Sequence, residues 1–480
     1  MEELLEIGKK AVDHAQKLGA DEADIFLYAE KQASVKFAGG IFASRGGTVK
    51  GIKGTFARIA ESWLKKKGIP IINSGTKAGV GIRAVINKAT GFSSVSSIDE
   101  KNVLNAVEEA IKIAKIRPSD PNWVSLPERK KPAGEGGIFD RNVSELDVGK
   151  MLDMCADCCV IAGDLDKRII QAMATIVSAS YSMAVVNTNG IEVSDKGTIF
   201  EADVGTKAKS GNEEVSGNDF IVSRTFTEDL QPIAVNASKR AIECFGKKAL
   251  PEKYSGPVVF RNVCWNQLFS VIFGYGISAL NVQENRSVYK RKIGKQVAKD
   301  NVSVVDDGML ADGFGTARVD DEGVPKQKTP IIEKGVLSSI LYDNYTAKRE
   351  KVGSTGNASR QWRSTARYAV QPMIRPSNLV LSPEKGTLEE LVSEVKEGVL
   401  VKGGIIGALH SNVITGDFSV TADNAFKIEN GEVAFPLKAC AVAGNLYEAL
   451  NNIMAIGNDL KTDGTVVCPS LVIDKIVVAT

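Results

Sequence analysis

From residue 169 to residue 226 the chain is mostly an alternation of apolar and polar side chains, broken at Asn189-Gly190. A period of two sends successive side chains to opposite faces of a strand. Asn-Gly between such runs is the composition of a tight hairpin, because both residues tolerate positive φ. This stretch predicts antiparallel sheet, and the segments around it predict the helices that flank such a sheet.

Leu4, Gly8, Ala11, Ala15 and Leu18 recur at helical spacing before a stop at Gly19. Strand-like text follows at Ala23–Phe37 and Thr48–Ala60, then at Ala78–Ile86 and Gly91–Ser97 with turn residues Asn87–Thr90 between the last two. A helix is expected over 100–116, ending before Pro118. Residues 117–142, rich in Pro, Gly and charge, read as a surface loop. Further helices are expected over 144–162 and 229–247. Beyond Pro251 a strand at Gly256–Phe260 leads into a helix over 263–281, with Leu268, Ile272, Tyr275 and Ala279 on one face. A mainly β region follows, with a turn at Glu333-Lys334-Gly335, a hairpin at Asn430-Gly431, helices over 387–397 and 445–456, and a terminal strand at Val472–Val478. The expected class is α+β: an N-terminal α/β region with an antiparallel sheet over 1–250, and a mainly β domain with a few helices over 251–480. No fixed-period repeat is present.

The 480 residues favour two or more domains, and 43% hydrophobic with 25% charged residues is ordinary for a soluble globular chain. A net charge of +2 gives no reason to expect nucleic acid or an anionic membrane as partner. MEELLEIGKK is not a signal peptide, and no apolar run approaches the roughly 20 residues of a spanning helix; a cytoplasmic location is expected. Seven scattered cysteines then read as reduced thiols. Only two histidines occur, His14 and His410, which is scarce for a residue that is the commonest zinc ligand and general base.

Several motifs have a functional and a structural reading. Cys155-Ala-Asp-Cys158-Cys159 contains C-x-x-C, but no second pair exists. Val148, Leu152, Cys155, Cys159 and Ala162 share a helix face, which favours a core role. Gly274-Tyr275-Gly276-Ile277-Ser278-Ala279 matches G-x-G-x-x-A formally. It follows helix-like text instead of a strand, so the glycines read as helix packing or a helix end. Gly75-Thr76-Lys77 lacks the spacing of a P-loop. His410, Asn412 and Asp417 lie in a Gly-rich loop and could line a cleft or merely support it. Asp306-Asp307 and Asp320-Asp321-Glu322 read as solvated turns. Neither H-E-x-x-H nor G-x-S-x-G is present. The residues themselves thus reveal no catalytic machinery.

The C-terminal half resembles the TldD/PmbA family, once named for modulation of DNA gyrase. The text that carries this is VDDEGVPK (319–326), IIEKGVLSSILYDNYTAKRE (331–350), STGNAS (354–359), TGDFSV (415–420), FKIENGEV (426–433), VAGNLYEAL (442–450) and IGNDL (456–460). AGVGIRAVI (78–86) and VVNTNG (185–190) extend it more loosely into the N-terminal half, while 52–75 is longer than the resemblance leads one to expect. TldD-type members of the family carry an H-E-x-x-x-H helix that holds a catalytic metal together with a distal cysteine. Counting back from Ile293-Gly294-Lys295, which resembles the segment after that helix, the motif falls on Ser270, Val271 and Tyr275. Cys468 falls at the distal cysteine. Serine and tyrosine are poor ligands and valine moves no proton.

The resemblance therefore implies a PmbA/TldE-type chain: metal-free, without a cofactor and inactive by itself. Its expected partner is a TldD-type metallopeptidase subunit in a heterodimer, with a homodimer as the other arrangement, and the complex would process or degrade unfolded or short peptides. No nucleic acid or membrane partner is expected. His410, Asn412, Asp417 and Tyr275 are the candidates for the substrate cleft. Two other readings stand beside this one: a stand-alone peptidase using a non-standard site, and a DNA-gyrase-associated regulator.

Overall fold

The computed structural model describes every residue except 41–67, 133, 135–137 and 362–365. The strand-like text at Thr48–Ala60 and most of the 52–75 segment lie outside the described residues; 68–75 belong to a strand.

The alternating region forms the middle of one antiparallel sheet. Its strands are β1 (Glu22–Gly40), β2 (Gly68–Ile86), β3 (Ala89–Val95), β4 (Ile169–Asn187), β5 (Glu192–Ser210) and β6 (Glu213–Ser223), in the order β3-β2-β1-β4-β5-β6. Four of them have 19 residues, about 63 Å of strand at about 3.3 Å per residue. At that length the right-handed twist accumulates, and the sheet curls. The β4–β5 turn is held by Asn187, whose Oδ1 accepts the N–H groups of Asn189 and Ile191, both at 2.9 Å.

Period two decides what each face of β1 meets. Ile25, Leu27, Val35 and Phe37 point under helices: α1 (Glu2–Lys17) and α2 (Glu100–Ile116) at one end, α3 (Val148–Asp164) and α4 (Gln231–Ile242) at the other. Gly91 lets α2 approach, since a Cβ there would lie 1.9 Å from the Ala110 carbonyl oxygen. On the opposite face Phe26 and Tyr28, with Met183 and Val185 of β4, pack against Val319 and Tyr368 from the C-terminal half.

That half is a domain mostly of strands. Tyr254–Phe260 (β7) lies inside a nine-stranded sheet, parallel to Glu397–Val401 and antiparallel to Leu471–Ala479. Ile405–Ile406 forms one edge of this sheet. A six-stranded sheet contains Val304–Asp307, Lys328–Glu333, Leu379–Leu381 and Val466–Cys468. One apolar core, centred on Trp265, Phe269 and Phe273, joins the two. Among the described residues no helix is long and apolar enough to cross a membrane.

Several elements differ from the sequence expectation. The helix expected over 263–281 stops at Ile277 and restarts as Ala279–Gln283. The chain is pulled out of it by Leu341, whose N–H donates to Ile277 O at 2.8 Å and whose carbonyl accepts from Ala279 N at 2.9 Å. The helix expected over 387–397 ends at Ser393, because Glu397–Val401 is recruited as a strand. That over 445–456 is only Leu446–Ala449, and Ile453–Ile456 pairs with the terminal strand. The loop over 117–142 is partly buried: Trp123 and Leu126 pack on Val85, and Trp123 Nε1 donates to Glu22 at 2.9 Å. Asp320-Asp321-Glu322 is no solvated turn, being 1%, 3% and 2% exposed.

Candidate functional site

Residues 266–276 form a single helical rod of three pieces: α-helical Asn266–Leu268, a π-helical stretch Phe269–Phe273, and α-helical Gly274–Gly276. A π stretch inserts an extra residue into a helix turn and recurs at functional sites. Its inward face is aromatic: Phe269 and Phe273 stack at 4.5 Å, and Phe273 meets Tyr289 edge-on. Outward, Ser270 is exposed and Val271 and Tyr275 are half-buried.

The bare flank at Gly276 receives Tyr447. A Cβ on Gly276 would stand 2.6 Å from the Tyr447 hydroxyl, and one on Gly416 2.4 Å from its ring. That hydroxyl lies 3.2 Å from Ile272 O and 3.3 Å from Val413 O, so it ties the rod to the loop that carries Asn412 and Asp417. The loop spends its polar atoms on itself. Asn412 Oδ1 accepts from Ile414 N and Thr415 N. Asp417 accepts from the Thr415 hydroxyl at 2.6 Å and from Asn445 Nδ2 at 2.9 Å, and these bonds hold its carboxyl below the ordinary range. His410 ends the exposed turn Ala408–His410, which packs against Asn266–Leu268. The structure thus gathers Tyr275, His410, Asn412 and Asp417 around one rod. Asn412 and Asp417 hydrogen-bond within their loop, and His410, Asn412 and Asp417 are exposed.

Cys468 also lies at this rod, in a strand that packs against Asn266–Leu268. Its thiol is fully buried, 3.4 Å from Pro469 O, and burial raises its pKa. A metal needs deprotonated or neutral lone-pair donors converging on one point. Ser270, Val271, Tyr275 and Cys468 offer a neutral hydroxyl, an isopropyl group, a phenol and a buried thiol whose pKa burial raises. These residues do not fit a metal. Among the described residues no group of three or more His, Cys, Asp or Glu side chains is placed to hold one.

Sequence reasoning missed a second polar region, between the sheet and the C-terminal domain. Arg83 of β2 donates to Asp24 of β1 and, at 2.9 Å, to Glu322. The other Glu322 oxygen accepts the N–H of Asn344 at 3.1 Å. Arg360, fully buried, lies 3.4 Å from Asp24. Beside this network opens a cavity of about 260 Å³, lined by Tyr28, Tyr181, Asp320, Lys326, Arg367 and Ser377 among others. Burial pushes the Asp320 and Glu322 carboxyls up. One signal for this region was available in the sequence: Asp320–Pro325 (DDEGVP) stands within the text that carries the family resemblance.

Residues 64–114 match the PmbA/TldA metallopeptidase domain 1, residues 141–245 the central domain and residues 251–480 the C-terminal domain. An uncharacterised Methanocaldococcus jannaschii protein is 29% identical over 411 residues, covering 85% of this chain and 91% of that protein. A Haemophilus influenzae metalloprotease PmbA homologue is 26% identical, covering 82% of this chain and 84% of that one. A Buchnera aphidicola metalloprotease TldD homologue is also 26% identical, with 85% of each covered. TldE from Thermococcus kodakarensis has the same fold, with a TM-score of 0.83 at 23% identity over 99% of this chain and 100% of that chain. The chain belongs to the PmbA/TldD family of metallopeptidase-related proteins.

Proposed function

We propose that this chain is the non-catalytic, metal-free, TldE-type subunit of a cytosolic TldD/TldE-type metallopeptidase complex that processes or degrades unfolded or short peptides. The observation that carries the reading is the rod at 266–276. Its glycines, Gly274 and Gly276, serve helix packing, while Ser270, Val271 and Tyr275 stand where the family resemblance would have the side chains that hold and work a metal. The neighbouring Cys468 thiol stays buried and protonated. The scaffold persists without its chemistry, which suits a subunit that shapes a chamber for a catalytic partner.

An extended peptide has a place to lie. Ile405–Ile406 is a sheet edge beside the rod, and Ile406 and Leu409 are 70% and 74% exposed. Strand addition to such an edge gives main-chain affinity with little sequence selectivity, and His410 follows it in the chain on the turn that packs against Asn266–Leu268.

The test is reconstitution. A TldD-type chain with an intact H-E-x-x-x-H should copurify with this protein, all stoichiometric zinc should reside in that partner, and chelator-sensitive peptidase activity should require it. Stoichiometric zinc and chelator-sensitive cleavage by the isolated chain would overturn the proposal.

A further inference from the structure

We propose that Ser377 and Lys326 form a Ser–Lys nucleophile pair in the cavity between the N-terminal sheet and the C-terminal domain, built for metal-independent acyl transfer from an ester or amide with a small apolar or aromatic acyl group. This activity lies outside the metallopeptidase reaction, in which the chain is the non-catalytic subunit, and does not depend on a partner.

The geometry starts with a serine whose backbone is fixed. Ser377 is 3% exposed and follows Pro376. Its N–H donates to Asp306 Oδ1 at 2.7 Å, the next N–H donates to the same oxygen at 3.0 Å, and Asp306 Oδ2 accepts from Asn357 at 2.7 Å. The Ser377 hydroxyl lies 2.6 Å from Lys326 Nζ, and both residues line the cavity.

A half-buried lysine is ordinarily explained by a carboxylate partner. Lys326 has none within 4 Å among the described residues. The three carboxylates of its surroundings are committed elsewhere. Asp306 is taken as above. Asp320 accepts the N–H groups of Glu322, Val324 and Ala358. Asp321 accepts from Arg360 N and from Arg367. Among the described residues the hydroxyl of Ser377 is the one hydrogen-bond partner the amine has, and Asn357 Nδ2 lies 3.4 Å from the same oxygen. Desolvation lowers the amine's hold on its proton and Arg367 adds to this, against the opposite pull of Asp306, Asp320 and Asp321. A lysine desolvated in this way is the kind that serves as a general base.

The walls select the acyl group. Tyr28 and Tyr181 stack at 5.9 Å with the Arg367 guanidinium over both rings, and Met183, Phe314 and Tyr368 supply apolar wall beside the charged Arg224 and Asp321. About 260 Å³ is room for a small group. In the step, Ser377 Oγ bonds to the acyl carbon as its proton passes to neutral Lys326 Nζ. The carbon–oxygen or carbon–nitrogen bond then breaks, and Nζ returns the proton to the departing alcohol or amine. Water, deprotonated by the same amine, then attacks the acyl carbon; the acyl–Oγ bond breaks, Nζ returns the proton to Ser377 Oγ, and the carboxylic acid leaves.

The experiment treats the full chain, with chelator present, with a small aryl fluorophosphonate and follows the intact mass, the labelled peptide and hydrolysis of a p-nitrophenyl ester. The expected result is one adduct, mapped to Ser377, and chelator-insensitive hydrolysis. Both should be lost in Ser377→Ala and slowed about a hundredfold in Lys326→Met, the loss typical of a removed general base. Lys326→Arg keeps a donor to Ser377 but no base at neutral pH, so it should be as slow as Lys326→Met. If the wild-type chain stays unlabelled, is labelled elsewhere, or reacts at Ser377 as fast in Lys326→Arg as in wild type, the proposal is overturned and the 2.6 Å contact is a packing hydrogen bond. Mapping the adduct on the wild-type chain decides the matter even where a variant fails to fold. Zinc content and partner binding, which test the subunit role, do not enter.

Discussion

At the scale of single residues, burial rather than sequence neighbourhood sets the chemistry. Arg83 and Glu322 are 239 positions apart and form a pair whose side chains are 7% and 2% exposed. Truncating one partner leaves an uncompensated buried charge, so Arg83→Met should cost about 3–5 kcal/mol in urea unfolding. The acidic run at 320–322 reads as a solvated turn because Asp320 does bond locally to Glu322 and Val324, while Arg83, Arg360 and Arg367, which bury Asp321 and Glu322, are distant in the chain and local composition carries no record of them. The cysteines could be read better. Helical spacing puts Cys155 and Cys159 on a core face, and both are buried there. All seven thiols are buried, and those of Cys158 and Cys244 are pushed up to about 12 and about 11. Iodoacetamide at neutral pH should therefore add nothing to the native chain and seven groups in denaturant; rapid native alkylation would contradict this reading. Glu201 gives a pH prediction. Burial, then the nearby Asp463, raises its carboxyl. The unfolded chain titrates this group near about 4.3. A raised folded value means that its stabilising contribution is whole below that pH and is lost as the pH rises through the folded value. Glu201→Gln should leave the urea midpoint unchanged near pH 4 and raise it at pH 7. A midpoint at pH 7 equal to wild type would show that the carboxyl is not strained.

At the scale of elements, the legible features are those encoded locally. The Asn189-Gly190 and Asn430-Gly431 turns stand where the dipeptides are, with Gly190 at φ 84° and Gly431 at φ 80°. Helices α1 and α2 follow their apolar spacing. What local pattern did not reveal is where the helices of the C-terminal half stop, because distant strands interrupt them. Leu341 ends one, and the pairing of Glu397–Val401 with β7 ends another. The site was half legible in the same sense. Resemblance placed Ser270, Val271 and Tyr275 on one rod, but the π stretch and the Tyr447 clamp come from packing. Two glycines separate the kinds of close approach. Gly276→Ala meets side-chain atoms, the Tyr447 hydroxyl at 2.6 Å and Tyr289 Cε2 at 3.2 Å, and should cost about 1–3 kcal/mol while loosening the Asn412–Asp417 loop. Gly91→Ala meets backbone atoms of α2, Ala110 O at 1.9 Å and Ala114 N at 2.5 Å, which cannot swing aside. Thermal unfolding should rank Gly91→Ala as the more damaging, and the reverse order would mean that the rod is stiffer than the sheet–helix seam.

At the scale of the whole molecule, the two halves share their polar interior as well as an apolar seam. Arg224, 1% exposed, donates to Phe314 O at 2.8 Å and Thr316 O at 3.0 Å across the seam, and to Ile138 O at 3.1 Å on its own side. The strap around Ser125 binds the other half through Asn344 Nδ2 at 2.7 Å, and Tyr345 donates to Asp120 at 2.8 Å. We propose a domain boundary near residue 250 and expect neither half to be independent of the other. Expressed alone, 1–250 would keep the sheet face covered by helices α1 to α4. It would expose Phe26, Tyr28, Met183 and Val185 on the other face, and leave the charges of Arg83 and Arg224 without partners from the second half. Such a piece should bind a hydrophobic dye and self-associate in size-exclusion chromatography. Adding 251–480 should abolish both effects and restore one cooperative unfolding transition. A monomeric, dye-silent 1–250 with its own sharp transition would mean that the seam contributes little, and that Asp24, Arg83 and Glu322 pair without holding the halves together.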